Sequence, residues 1–220
     1  MAGDGRGIVE NIGGALQILW ALLTPFLRRR RVRWGASGEE WGRSWPGDGL
    51  VPAPRWQTLH AITVEAPAAE VWPWVAQIGQ GRGGFYSYER LENLVGCGIR
   101  NASQILPEHQ DLTAVDGIRL AAKAPALPLT VVEPGRGFVL SGGGNLGTGA
   151  PAPGSTSWGV FVEPAGPGSV RVLSRQRTAW TGGLGAALLF GPWLLEPISF
   201  VMDRKMLRGI KRRAEAARAP

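Results

Sequence analysis

Six polar side chains lie within twelve residues of one another: Arg82, Tyr86, Tyr88, Glu89, Glu92 and Asn93. A glycine-rich turn precedes them, with Gly79, Gly81, Gly83 and Gly84 leaving the backbone free to bend sharply and to approach a ligand closely. An arginine in such a turn can aim a planar fork of donors at a carboxylate or phosphate, with glycine N–H groups completing an anion nest. The structural alternative is that Arg82 pairs with Glu89 or Glu92 and ties the turn down. Glu89, Glu92 and Asn93 are spaced i, i+3 and i+4, so a helix puts them on one face. Two carboxylates there could do acid–base work if burial separated their pKa values; otherwise they form a solvated face or a salt bridge.

Further along, Trp158 and Phe161 fall in one β candidate, and Arg175 and Arg177 in the next. A period of two puts both arginines on one face, and Ser174, Gln176 and Thr178 on the other. Pointing inward, Arg175 would meet an anionic headgroup; pointing outward, it would only solubilise the sheet. His60, in a strand candidate, could face a cavity or be a satisfied or exposed side chain. Glu108, His109 and Asp111 are too nearly consecutive to converge on one ion. Cys97 is the sole cysteine, which excludes intramolecular disulfides, and no base lies near it in sequence. The glycine-rich turn follows a helix candidate and not a strand, so it does not fit a dinucleotide fingerprint. No metal and no cofactor are expected.

The chain has 220 residues and a net charge of +7, with 10 tryptophans, 33 glycines and 17 prolines. That length holds one domain with a substantial core, plus an appendage. Five arginines fall in residues 28–33, and seven Lys/Arg against two acids in residues 203–220. These two segments exceed the net charge of the whole chain, so the remaining body is mildly acidic. A nucleic-acid-binding domain spreads its basic residues over a folded face. Basic residues confined beside apolar segments fit an anionic membrane surface better, so no nucleic-acid partner is expected.

Positioning elements follow from the periodicity. Ile8–Leu27 contains one acid, Glu10, and as a helix would be about 30 Å long, near the thickness of a bilayer core. Arg28–Arg31 follow at once, in the order opposite to a signal peptide, and would hold that end in the cytoplasm. Glu10, Gly14, Gln17, Ala21 and Thr24 form a small, polar stripe opposite Ile12, Leu16, Leu19, Leu23 and Phe26. The segment therefore reads as a transmembrane helix, an interfacial helix or a buried soluble one. Residues 35–56, with Trp41 and Trp45, read as a strap. Residues 57–214 form the main domain: a strand around Leu59–Val64, a helix opened by Pro67 and interrupted by Pro73, and a helix over Tyr88–Val95. Short strands follow over 117–121, 129–133, 137–141, 155–163 and 169–179. An amphipathic helix over Trp193 to about Ala214 closes the domain, and 215–220 are a basic tail.

Ile62–Trp74, Gly81–Tyr88 and Ser199–Ile210 resemble segments of the START-like, or SRPBCC, superfamily, in a bacterial, actinobacterial-type subgroup. The resemblance spans about Arg33 to Arg213. It implies an α+β helix-grip fold: a curved antiparallel sheet around a long C-terminal helix, with a cavity between them and the N-terminal hydrophobic helix appended. The superfamily includes lipid carriers and polyketide cyclases or dehydratases. The expectation is membrane-associated binding or transport of a small hydrophobic ligand (lipid, isoprenoid or polyketide-like), at the cytoplasmic face of a membrane reached through Ile8–Arg31. The alternative is a cyclase or dehydratase acting on a carbonyl substrate. Arg82, Tyr86, Tyr88, Glu89, Glu92, Asn93, Trp158 and Arg175 are the candidate ligand-binding residues. Turns at Gly81–Gly84 and Gly142–Gly149 are candidate gates.

Overall fold

The computed structural model describes residues 3–143 and 154–216. In chain order the helices and strands are α1 (Gly3–Leu23), α2 (Arg28–Arg31), α3 (Gly38–Gly42), β1 (Trp56–Val64), α4 (Ala68–Ala76), α5 (Glu89–Leu94), β2 (Gly117–Ile118), β3 (Leu127–Glu133), β4 (Gly137–Gly143), β5 (Gly154–Gly166), β6 (Ser169–Trp180), α6 (Leu184–Phe190) and α7 (Leu195–Ala216). The strands form one curved antiparallel sheet in the order β1-β6-β5-β4-β3-β2. Helix α7 packs across its inner face, mainly on β1. This is the helix-grip arrangement, with α1 added outside it.

Alternation along the strands divides the core in two. Inward residues such as Ile62, Val64, Phe138, Val160 and Val172 meet Met206, Leu207 and Ile210 of α7. Outward residues Leu59, Ala61, Phe161 and Leu173 are covered by Trp41 and Trp45 of the strap. The strap is built locally: Ser37 and Glu40 form a reciprocal capping box on α3. Residues 32–34 also close the free edge of β1, with Leu59 N–H donating to Val32 O and Ala61 N–H to Trp34 O. Gly35 makes that approach possible: its φ is 72°, and a Cβ there would lie 2.0 Å from Ala61 O.

The N-terminal segment departs from a transmembrane reading. Helix α1 ends at Leu23, before Pro25, and among the described residues no helix is long and apolar enough to cross a membrane. It docks on α7 and α5 with its polar stripe turned inward: Glu10 pairs with Lys205, Gln17 Oε1 accepts from Arg204, and Ala21 is buried against Tyr88, Phe200 and Val201. Its apolar stripe is the exposed one. Helix α6, absent from the expected elements, stands between β6 and α7. Most of the Gly142–Gly149 loop, and the tail from residue 217, lie outside the described residues.

Candidate functional site

Between the sheet, α5, α1 and the first half of α7 lies a cavity of about 660 Å³. Its wall is largely apolar: Phe85 leads from the glycine turn, Leu127 and Leu140 come from β3 and β4, and Ile198, Met202 and Met206 come from α7. The sheet adds Thr156, Trp158 and Gln176, and α1 adds Ala15 and Ile18. Such a hollow suits a small apolar molecule oriented by a few polar groups.

Those polar groups include two carboxylates. Glu92, on α5, is buried, and its Oε2 has no hydrogen-bond partner. Burial, with the charge of Glu89 adding to it, pushes its pKa up to about 7. A carboxyl group with that pKa is populated in both protonation states near neutrality, which suits it to giving or taking a proton. Cys97 lines the cavity nearby; burial first, then Glu92, pushes its thiol up, away from the reactive thiolate.

The second carboxylate, Asp203 of α7, ends a buried relay across the sheet. Trp158 Nε1–H donates to Ser174 Oγ at 2.9 Å, and Ser174 donates to Asp203 Oδ2 at 2.8 Å. His60 Nδ1 lies 2.9 Å from the same oxygen, and its ring packs edge-on against Phe200 at 5.6 Å. His60 is fully buried, and its Nε2 is without a partner. The aspartate faces the cavity, and the imidazole sits behind it. Two hydrogen bonds thus fix one carboxylate, while Glu92 is held by burial. Among the described residues no group of three His, Cys, Asp or Glu converges as metal ligands do.

Of the eight residues anticipated as ligand contacts, this cavity brings together Glu92 and Trp158. The others have structural surroundings. Arg82 donates to the carbonyls of Ala76 and His109, so it ties the turn down through backbone oxygens and not through Glu89 or Glu92. Tyr86 has a φ of 55° and is held there by Asn101 Oδ1, which accepts from its N–H, while its own hydroxyl donates to Trp74 O. Tyr88 packs between α1 and α7, with its ring 2.7 Å from where a Cβ on Gly14 would lie. Glu89 accepts from Asn101 N–H, and Asn93 brackets Ile99 through both its N–H and its carbonyl. Arg175 is on the outer face, bonded to Asp48 and Gln57. The Gly81–Gly84 turn does not line the cavity, whose wall starts at Phe85. Sequence reasoning missed Asp203 and Ser174. The available signal was an acid placed beside the apolar positions of the terminal helix, one residue after Met202.

No family model matches the chain, and no curated protein does. Solved structures similar to it include the ZhuI aromatase/cyclase from Streptomyces sp. R1128, at 14% identity and a TM-score of 0.41, covering 74% of this chain and 96% of that one. A conserved protein from Geobacillus kaustophilus has 11% identity and a TM-score of 0.40, covering 74% and 97%. A protein from Deinococcus radiodurans has 17% identity and a TM-score of 0.36, covering 74% and 99%. At these scores the weight rests on the chain's own topology. An antiparallel sheet wrapped round a terminal helix is the helix-grip fold that START-like proteins share.

Proposed function

We propose that the cavity takes up a small hydrophobic molecule bearing a carbonyl or hydroxyl group, lipid, isoprenoid or polyketide-like, and that Glu92 and Asp203 do acid–base chemistry on it. The observation that carries the reading is an apolar hollow of about 660 Å³ with two buried carboxylates in contrasting environments on its wall. Carriage alone needs only the hollow. A cyclase or dehydratase also needs one group to take a proton from the carbon beside a carbonyl and another to protonate the departing or accepting oxygen. In a dehydration the C–H proton goes to one carboxylate, and the hydroxyl leaves as water with the proton of the other. Glu92, near pKa 7, fits either part.

Native mass spectrometry of gently purified protein tests uptake: a copurified apolar mass is expected, and Ser199→Trp, which fills the hollow, should remove it. With a polyketide-like β-hydroxycarbonyl substrate, Glu92→Gln and Asp203→Asn should each lower turnover about a hundredfold or more while affinity changes little. Retention of the molecule without turnover in the unaltered protein would reduce the function to carriage. An empty, unreactive protein would remove both readings.

A further inference from the structure

A surface helix normally turns its polar face to water and its apolar face to the core. Helix α1 does the reverse. Its small and polar residues meet α7 and α5, with Glu10 against Lys205 and Gly14 against the Tyr88 ring. Ile12, Leu16, Leu19, Leu23 and Phe26 are left outside, with Leu16 60%, Leu23 70% and Phe26 77% exposed. Further exposed apolar side chains lie at one end of the helix and along its flank. At one end Trp193, 66% exposed, shares a small cleft with Leu22 and Pro25. Along its flank, the largely exposed Leu94 and Val95 rim the main cavity beside Ala15 and Ile18 of α1. An exposed apolar face of this kind marks an interaction surface.

Charge decides among its possible occupants. Four arginines, Arg28–Arg31, stand at the end of the exposed stripe. Glu196 pairs with Arg28 and lies 3.9 Å from Arg31, leaving Arg29 and Arg30 exposed. Glu10, on the inward stripe of α1, is already taken by Lys205. An apolar stripe ending in uncompensated arginines complements a lipid surface with anionic headgroups, where the side chains enter the acyl boundary and the guanidinium groups meet phosphates. A second copy of the same surface would bring arginine clusters together or leave them unmatched.

We propose that the outer face of α1, with Arg29 and Arg30, docks this protein peripherally on an anionic lipid surface, with the mouth of the cavity at Leu94 and Val95 beside the bilayer. The proposal stands independently of any chemistry in the cavity. The test is flotation of the full chain with vesicles of phosphatidylglycerol and phosphatidylcholine, compared with phosphatidylcholine alone. Binding to the anionic vesicles is expected, weakening with salt. Leu16→Glu with Leu23→Glu, and Arg29→Glu with Arg30→Glu, should each lower it about tenfold or more without changing circular dichroism or the melting temperature, because all four side chains are exposed. Equal binding to both vesicle types, or unchanged binding by either double variant, overturns the proposal. So does a dimer in sedimentation equilibrium that Leu16→Glu with Leu23→Glu converts to monomer while the unaltered chain ignores vesicles.

Discussion

On β6, Arg171, Arg175 and Arg177 alternate with Ser174, Gln176 and Thr178, and the two sets meet different surroundings. The arginines lie on the convex face under the strap. Arg171 pairs with Glu40 and donates to Gly35 O; Arg175 pairs with Asp48; Arg177 reaches Asp48 and donates to the carbonyls of Val51 and Pro52. The concave residues are uncharged: Gln176 borders open volume, Ser174 belongs to the Asp203 relay, and Thr178 meets Thr156. The charged face is thus the structural one: its cations pin a covering segment more than a hundred residues away. The neutral face keeps space and two carboxylates. Charge density is a poor guide to the site here, because these charges are paired to the strap on the face away from the cavity.

The largest effect expected from this contrast is at Asp48. Asp48→Ala strips the carboxylate from Arg175, whose side chain is 5% exposed, and from the half-buried Arg177, leaving a buried cation without its counter-charge. A loss of about 3–5 kcal/mol in denaturant unfolding is expected, with ligand retention per folded molecule unchanged. If Asp48→Ala instead empties the cavity without lowering stability, the convex face takes part in function and the division fails.

Next comes Glu92, on the concave side, where the cost has the opposite sign. Its pKa is about 7 in the folded chain against an ordinary 4.5. Between those values the native state holds a proton that the unfolded chain has released. Stability is therefore unaffected below about pH 4.5, falls as the pH rises toward 7, and stays lowered above it, by about 2–3 kcal/mol. Glu92→Gln removes the charge. The variant should match the unaltered protein at pH 4 and exceed it at pH 8 in chemical denaturation. A retained pH slope would show that another group titrates there. A site residue that destabilises its own fold is what a functional carboxylate in an apolar wall entails.

The order of elements was legible because it rests on local signals. Pro67 opens α4, period-two alternation marks β5 and β6, and the recurrence of Leu195, Ile198, Met202, Met206 and Ile210 marks α7. Direction was less legible. The stripe of Glu10, Gly14, Gln17 and Ala21 could be read on α1, but its facing inward depends on Lys205 and Tyr88, which come from distant segments. The side on which Arg175 points was fixed by Asp48, 127 residues away. The Asp203 relay joins residues 143 apart, His60 to Asp203, and each looks ordinary in its own segment. Tyr86 drew attention for its chemistry, yet its hydroxyl and its left-handed backbone are both used to seat α4 and α7: a Cβ at Gly209 would lie 2.6 Å from its own Cβ.

The smallest effect expected, and the finest test of the contrast, is at Ser174. Its hydroxyl accepts from Trp158 and donates to Asp203, and Ser174→Ala deletes both bonds while leaving the Asp203–His60 contact. Trp158 and Asp203 both border the cavity, so water or ligand can replace part of what is lost. The cost should stay near about 1–2 kcal/mol, well below that of Asp48→Ala, where the stranded Arg175 is buried under the strap. In a chain of this length that is a few degrees in melting temperature, about 2–4 °C for each kcal/mol. The functional change should be the larger one: with one of the two hydrogen bonds to Oδ2 removed, Asp203 is held less firmly, and turnover should fall about tenfold while affinity changes little. A Ser174→Ala protein that melts as low as Asp48→Ala but keeps its turnover would place the relay among the pins of the fold, on the same footing as the arginines across the sheet.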